Sequence, residues 1–206
     1  MLILALIAAA ALKVDPDAGN NKFNATFDAP LGERINAVSA SVGCEVSYDE
    51  KSGTAAGTCS VPLTSIMVDS EPTKSEHFQQ WVTNKKSNPK DCKIEAKFEG
   101  VKVSPPALSA EPSKISGEAA FKVCGRSRSD GGKEKLEGNA MMLPDGRIRI
   151  RAHVDKFNRD KYRIGPKYTD GWLSRVQQLA SVVSEEGTVD ISVFAKQAET
   201  KSATKP

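Results

Sequence analysis

Four cysteines and two histidines are the residues of this chain best suited to metal, redox or acid–base chemistry. Cys44 and Cys59 flank "EVSYDEKSGTAAGT", a polar stretch punctuated by glycine. A zinc site needs a short C-x-x-C knuckle with further ligands, and a thioredoxin-type pair needs C-x-x-C at a helix start. Neither spacing occurs. Cys44, Val46 and Tyr48 alternate with Glu45, Ser47 and Asp49, and Cys59, Val61 and Leu63 alternate with Ser60, Pro62 and Thr64. Period-two alternation marks a half-buried strand. If the two strands fold back about Lys51 and Ser52, Cys44 faces Cys59 at roughly 4.5–5.5 Å, within disulfide reach. The spacing predicts a disulfide across a hairpin; free buried thiols are the competing reading.

Cys92 and Cys124 flank "SPPALSAEPS", and their midpoint falls inside that turn-rich stretch. Cys92 shares a phase with Ile94, Ala96 and Phe98, whereas Cys124 is out of phase with Ile115, Ala119, Phe121 and Val123. A one-residue slip flips a side chain to the other face. A bulge near Gly117, or a break in the strand before Cys124, reconciles the two. The expected pairing is Cys44 with Cys59 and Cys92 with Cys124.

The rest of the catalytic inventory is thin. His153 is out of phase with Ile148, Ile150, Ala152 and Val154, so it should face solvent. His77 sits beside Glu76 near a helix start; an acid–base pair and a simple helix-start hydrogen bond are both open. P-loop, dinucleotide, H-E-x-x-H and G-x-S-x-G signatures are missing from the sequence. No metal site, cofactor or catalytic residue is assigned. Arg147, Arg149 and Arg151 form a basic stripe, read as a solvated outer face or as a contact for an anionic headgroup. Asn24-Ala25-Thr26 matches a glycosylation sequon but lies inside an expected strand. A net charge of +3 is too mild to argue for nucleic acid.

The elements that position these residues read mostly as strands. "KFNATFD" alternates Phe23, Ala25 and Phe27 with polar partners. From Val38 to Tyr48 every even residue is apolar or small, which predicts one strand of more than about ten residues, as in a coiled barrel. "KLEGNAMML", a "PDG" turn and "RIRIRAHVD" predict a hairpin. "TVDISVFAK" closes the series. Two stretches have helical spacing instead. "SEHFQQWVTNKK" has Ser75 as N-cap, with Phe78, Trp81 and Val82 on one face. Asp170 to Glu186 places Leu173, Val176, Leu179 and Val183 on one face, with Gly187 as a stop. Eight or so alternating strands with short connections read as an all-β antiparallel barrel or sandwich, with the two short amphipathic helices over its wall or mouths.

An even cysteine count read as disulfides suggests an oxidising compartment, periplasmic or extracellular. The apolar run Leu2 to Leu12 is shorter than the roughly 20 residues that span a bilayer. With A-x-A at Ala9 to Ala11 it reads as the core of a signal peptide, or as a short buried element. The expected organisation is a signal-like segment over 1–11, a barrel domain over 12–197 and a polar, disordered tail over 198–206. The mature chain is expected to be soluble. Small residues dominate the presumed inner face: Ala25, Ala40, Ala96, Ala119, Ala140 and Gly138. Among larger ones such as Phe27, Val42, Phe98 and Phe121, they leave space for an elongated apolar guest or form an alanine-rich packed core.

The order of these segments resembles the YceI-like family of periplasmic, lipocalin-like polyisoprenoid-binding proteins. "LKVDPDAGNNKFNATFDAPLG" resembles the family's opening strand, and "GCEVSYDEKSGTAAGTCSVPLTSIMVDS" its G-x-x-x-x-D hairpin and following strand. "KSEHFQQW" stands where the family has an R-D-x-H-L helix start, with Lys74 and Ser75 in place of Arg and Asp. "CKIEAKFEGVKV", "ISGEAAFKVCG", "VDKFNRDKYRIG" and "GTVDISVFAKQ" resemble its later strands. The likeness covers roughly Leu12 to Gln197; the cysteines are not general to the family, and the Asp170 to Glu186 segment is longer than usual. The resemblance implies an all-β fold, an eight-stranded antiparallel lipocalin-like barrel with two short amphipathic helices, that sequesters a long apolar lipid, an isoprenoid, with no chemistry performed on it. Phase and resemblance together select Phe27, Val38, Val42, Val46, Leu63, Phe98, Phe121 and Ile150 as lining residues, with Val176 and Leu179 on the second helix at one mouth. The alternatives are a protein-interaction or stress-response module with a filled interior, and an enzyme using His77 and Glu76 on a lipid-like substrate.

Overall fold

A computed structural model describes residues 10–169 and 183–198. The chain runs through β1 (Ala10–Val14), β2 (Lys22–Asp28), β3 (Arg34–Ser39), β4 (Gly43–Asp49), β5 (Thr54–Pro62) and β6 (Met67–Val68). The helix α1 (Pro72–Thr83) follows, then β7 (Lys93–Ser104), β8 (Ser113–Val123) and the two-residue β9 (Arg126–Ser127). The last strands are β10 (Glu134–Met142), β11 (Ile148–Asn158) and β12 (Glu186–Gln197). Eight strands form a closed antiparallel ring in the order β1, β4, β5, β7, β8, β10, β11, β12 and back to β1. Closure leaves no free edge in the ring, so its backbone donors and acceptors are paired within the sheet.

Two strand positions are broken. β12 pairs with β1 through Ala195 to Gln197 and with β2 through Gly187 to Ser192, so β1 and β2 succeed one another along its flank. β3 and β4 do the same on the next position. The side chain of Asn21, which is buried, stitches the gap. It donates to the Asp15 carbonyl at 2.7 Å and the Val42 carbonyl at 3.3 Å, and accepts from the Phe194 amide at 3.1 Å. We call the end carrying the 50–53, 104–112 and 143–147 connections upper and the end carrying α1 lower.

The single long strand expected from Val38 to Tyr48 is therefore two. Val42, Cys44, Val46 and Tyr48 are buried as their phase predicts. Below the break the inward phase is odd: Ala37 and Ser39 are buried, Val38 is half-buried on the outer face and Ala40 is exposed. A tight turn from the Ala40 carbonyl to the Val42 amide at 3.0 Å, with Ser39 Oγ accepting from the Ser41 amide at 3.0 Å, shifts the phase by one residue. Val38 and Ala40 thus leave the interior.

Both disulfides are formed. Cys44 and Cys59 are register partners across the β4–β5 hairpin, bonded at 2.05 Å. Cys92 and Cys124 are also bonded. The phase conflict is resolved by the break: β8 ends at Val123, and Cys124 turns out of it at φ 47°. The irregularity expected at Gly117 lies on the partner strand, where β7 shifts register between Phe98 and Lys102. Gly117 sits opposite; a Cβ there would lie 2.9 Å from Val101 Cγ2. Loops closed by separations of 15 and 32 residues restrain the unfolded chain by about 3 kcal/mol or more each in the entropy model.

α1 begins at Pro72 rather than at a Ser75 cap, because proline is favoured in a first helical turn. Ser75 is one turn inside and buried; its hydroxyl donates to the Glu71 carbonyl at 2.7 Å and accepts from the Val68 amide at 2.9 Å. Val82 is fully buried, and Phe78 and Trp81 pack on the core, as their spacing predicts. The second expected helix falls on 170–186, of which 170–182 lie outside the described residues, so Val176 and Leu179 are not placed. Ala10 and Ala11, the end of the expected signal-like segment, pair with Tyr48 and Ser47 in β1. Residues 199–206 also lie outside the described residues.

Inner-face glycine sets how tightly the ring closes. A Cβ on Gly138 would lie 1.9 Å from the Arg151 carbonyl oxygen on β11. Gly138→Ala is expected to lower stability by about 1–3 kcal/mol through overpacking, read from urea midpoints; an unchanged midpoint would show that β10 and β11 are not this close.

Candidate ligand cavity

The inward side chains do not fill the barrel. An upper cavity of about 90 Å³ and a lower one of about 60 Å³ remain. Phe121 belongs to both walls, so its ring stands at the waist between them. Below the waist Ile94 and Val189 face the lower cavity; one step along the same strands, Ala96 and Ile191 face the upper. The space has a local cause: Ala55, Ala96, Ala119, Ala140 and Ala152 all present methyl groups where larger residues would meet.

The upper wall exposes no polar atom. Its mouth is crossed by the long β7–β8 connection, which lowers Leu108 into the lining. Tyr48 donates its hydroxyl to the Pro106 carbonyl, and the Met142 amide donates to the Ser109 carbonyl at 2.7 Å. The Cys44–Cys59 bridge is part of the same wall. An apolar void of roughly 150 Å³ stays dry and takes up benzene-sized guests. Each of the two voids here is smaller than that, so a guest chain enters only if side chains such as Phe98 and Phe121 turn aside.

The lower cavity is closed by different material. Phe78 and Trp81 of α1 line it, with Phe27, Ile35, Ile164 and Arg159. Arg159 belongs to a short 3-10 turn, Arg159–Tyr162, that follows β11. The turn is anchored by Tyr162, which is completely buried and stacks on Phe157 at 4.8 Å. Phe157 in turn meets Phe121 edge-on at 5.6 Å. The Tyr162 hydroxyl donates to Glu134 at 2.8 Å, and Arg128 holds the other oxygen of Glu134 at 3.0 Å. Burial, then the adjacent Glu134 carboxylate, pushes the Tyr162 phenol well above the ordinary tyrosine range.

Of the residues selected from sequence, Val46, Phe98, Phe121 and Ile150 line the upper cavity, and Phe27 and Phe121 the lower. Val42 and Leu63 are wholly buried but packed in the core, outside both linings. Val38 is excluded by the phase shift described above. Leu108 and Arg159 were not selected. Leu108 is an isolated apolar residue in a proline-rich connection, where no period points inward; Arg159 sits in a cation-rich stretch that reads as surface.

The other chemical candidates lie elsewhere. Glu76 and His77 are exposed on α1 and line neither cavity. His153 lies on the outer face with Asp190 at 2.8 Å from Nδ1. Arg147 is held by Asp145 at 2.7 Å, and Arg147 and Arg149 lie over the Phe194 ring. Among the described residues no group of acidic, histidine and cysteine side chains has metal-binding geometry. No helix of the described residues is long and apolar enough to cross a membrane.

No family model matches the sequence, and no curated protein matches it either. The fold does have solved counterparts. A polyisoprenoid-binding domain from Saccharophagus degradans, implicated in plant cell wall breakdown, superimposes with a TM-score of 0.63 at 14% identity. The match covers 92% of this chain and 99% of that one. At that identity the likeness establishes the fold, a closed barrel of this type.

Tyr162 ties the cavity floor to pH. Its folded-state pKa is raised, so its contribution to stability is fully present below the unfolded value of about 10 and is lost as pH rises beyond it. Tyr48 and Tyr168 shift the same way, chiefly through burial. Urea midpoints should be insensitive to tyrosine ionisation up to about pH 10 and fall above it. Tyr162→Phe should lose about 1–2 kcal/mol at pH 8 and fall less steeply on the alkaline side. An identical alkaline slope in the variant would show that this phenol is not buried against Glu134.

Proposed function

We propose that this protein sequesters a long apolar lipid, of isoprenoid type, inside the barrel, and that it is a member of the YceI-like family it resembles. The observation that carries the reading is the pair of apolar cavities meeting at Phe121, one of them without a polar atom in its wall. Each CH₂ moved from water into such a lining contributes roughly 0.8 kcal/mol, so a chain of many methylenes needs few polar contacts. The solved counterpart of the same fold is a polyisoprenoid-binding domain, which supports the same class of guest here. Two disulfides support a periplasmic or extracellular site of action. The reading assigns no chemistry on the guest: the protein holds and shields it. The proposed lining is Val46, Phe98, Phe121 and Ile150 above and Phe27 below.

The test is a titration of the purified protein with a fluorescent polyene fatty acid, with geranylgeraniol as competitor. Uptake of the polyene and its displacement by the isoprenoid are expected. Ala96 lines the upper cavity, and Ala96→Phe fills part of that void. It should weaken uptake by at least about tenfold, or about 1.4 kcal/mol, with thermal stability close to wild type. A wild-type protein that takes up neither probe, together with a strongly destabilised Ala96→Phe, would mean a packed core, and the surface-interaction reading would replace this one.

A further inference from the structure

The outer wall of the barrel is not evenly charged. On β7 and β10, lysines sit beside acids of their own strand: Lys93 with Glu95 at 2.8 Å, Lys97 with Glu99 at 2.8 Å and Lys135 with Glu137 at 2.7 Å. Where β11, β12 and β1 meet, toward the upper end, the pattern changes. Lys13 and Lys196 are direct register partners across the seam that closes the ring, and both are exposed. Like charges directly opposite one another destabilise a sheet. Arg149 and Arg151 of β11 project from the same face. Arg149 is the partner of Phe194 and lies over its ring, and its Nε is buried without a hydrogen-bond partner. Lys22 of β2 is exposed opposite Ser192, which is itself the partner of Arg151.

Among the described residues Lys13, Lys22, Arg149, Arg151 and Lys196 form no ion pair; Arg147 alone of this group is paired, to Asp145 at 2.7 Å. Lys13, Arg147 and Lys196 line a concavity of about 160 Å³ over the seam, with Phe194, Asn20 and Asp15. The acids nearby do not cancel these charges. Asp145 is spent on Arg147, while Asp15, Asp17 and Glu45 make no ion pair, so six cations stand against four acids. One register row further down acids return, where His153 meets Asp190 at 2.8 Å and partners Glu137 on β10.

We infer that this face docks on an anionic lipid surface, with the upper rim of the barrel turned toward it. The partner's chemistry follows from the charge and its spread. The cations lie across β11, β12, β1 and β2 rather than converging on one point, which fits a layer of headgroup phosphates better than a single ion. At the same end lie Met142, an apolar side chain 40% exposed on the rim, and the connection that crosses the mouth. A lipid guest then enters or leaves the upper cavity beside a bilayer rather than through water. That last step rests on the guest-binding reading above; the docking itself does not.

Flotation with vesicles of phosphatidylcholine alone, and of equal parts phosphatidylcholine and phosphatidylglycerol, tests the inference. Wild-type protein should bind the anionic vesicles at least about tenfold more tightly, and added sodium chloride should weaken that binding. Lys13→Gln/Lys196→Gln and Arg149→Gln/Arg151→Gln should each lose most of the preference. Lys114→Gln/Lys122→Gln, at exposed positions of β8, removes the same charge elsewhere and should keep it. Because the seam pair is repulsive, Lys13→Gln/Lys196→Gln should not lower the urea midpoint. Polyene uptake from solution should be unchanged in all three variants, which keeps a failure of docking distinct from a failure of guest binding. Equal loss in the β8 variant, or no preference for anionic vesicles, overturns the inference. So does protein that ignores vesicles but is stabilised by inorganic phosphate beyond sodium chloride of equal ionic strength, with that gain lost in Lys13→Gln/Lys196→Gln: the concavity then holds a free oxyanion.

Discussion

The structure depends on the antiparallel pairing of β12 with β1, which turns a sheet into a ring. Without that pairing β1 and the Ala195 to Gln197 end of β12 would be exposed edges and the inner face an open, largely apolar sheet. With it, inward side chains have nowhere to go except toward one another across a fixed diameter. The diameter is set by backbone geometry, not by the volume of the residues inside. Rows of alanine at the inner face therefore leave space that the sheet cannot collapse to remove, as a helix bundle would. The cavities are a consequence of closure, and the disulfides reinforce it where β5 meets β4 and where the start of β7 lies beside the end of β8.

Much of this architecture is legible in the residue pattern. The cysteine spacing gives the β4–β5 register directly, because Cys44 and Cys59 are opposite partners. The "PDG" hairpin and the alternation of β12 are equally plain, and so is the apolar face of α1. The failures share a cause. Alternation over Val38 to Tyr48 reads as one strand, since the pattern records phase but not the single residue that shifts it. What breaks the strand is a buried side chain from elsewhere, Asn21, bonding to three different segments. Such a tertiary interaction leaves no periodic trace. The bulge is displaced for a similar reason: Gly117 marks a close approach, but the extra residue sits on β7 opposite it.

The site is less legible than the fold. Inward phase identifies Val46, Phe98, Phe121 and Ile150, yet the same phase includes Val42 and Leu63, which pack solidly. Which inward residues border space depends on what faces them across the barrel, and strand periodicity does not say. The ends are harder still. Leu108 reaches the upper cavity because the Tyr48 and Met142 contacts hold a proline-rich connection over the mouth. Arg159 reaches the lower one because Tyr162 is anchored beneath it by Glu134. Both depend on non-local hydrogen bonds.

The central claim is that the interior is a compartment for an apolar chain. Native mass spectrometry of protein purified without detergent from its own host tests it most directly. The account predicts a species heavier than the disulfide-bonded chain, whose excess mass is released by organic extraction and matches a lipid. Protein that shows only the mass of the bare chain, and still does so after incubation with isoprenoid alcohols and phosphates, would contradict it.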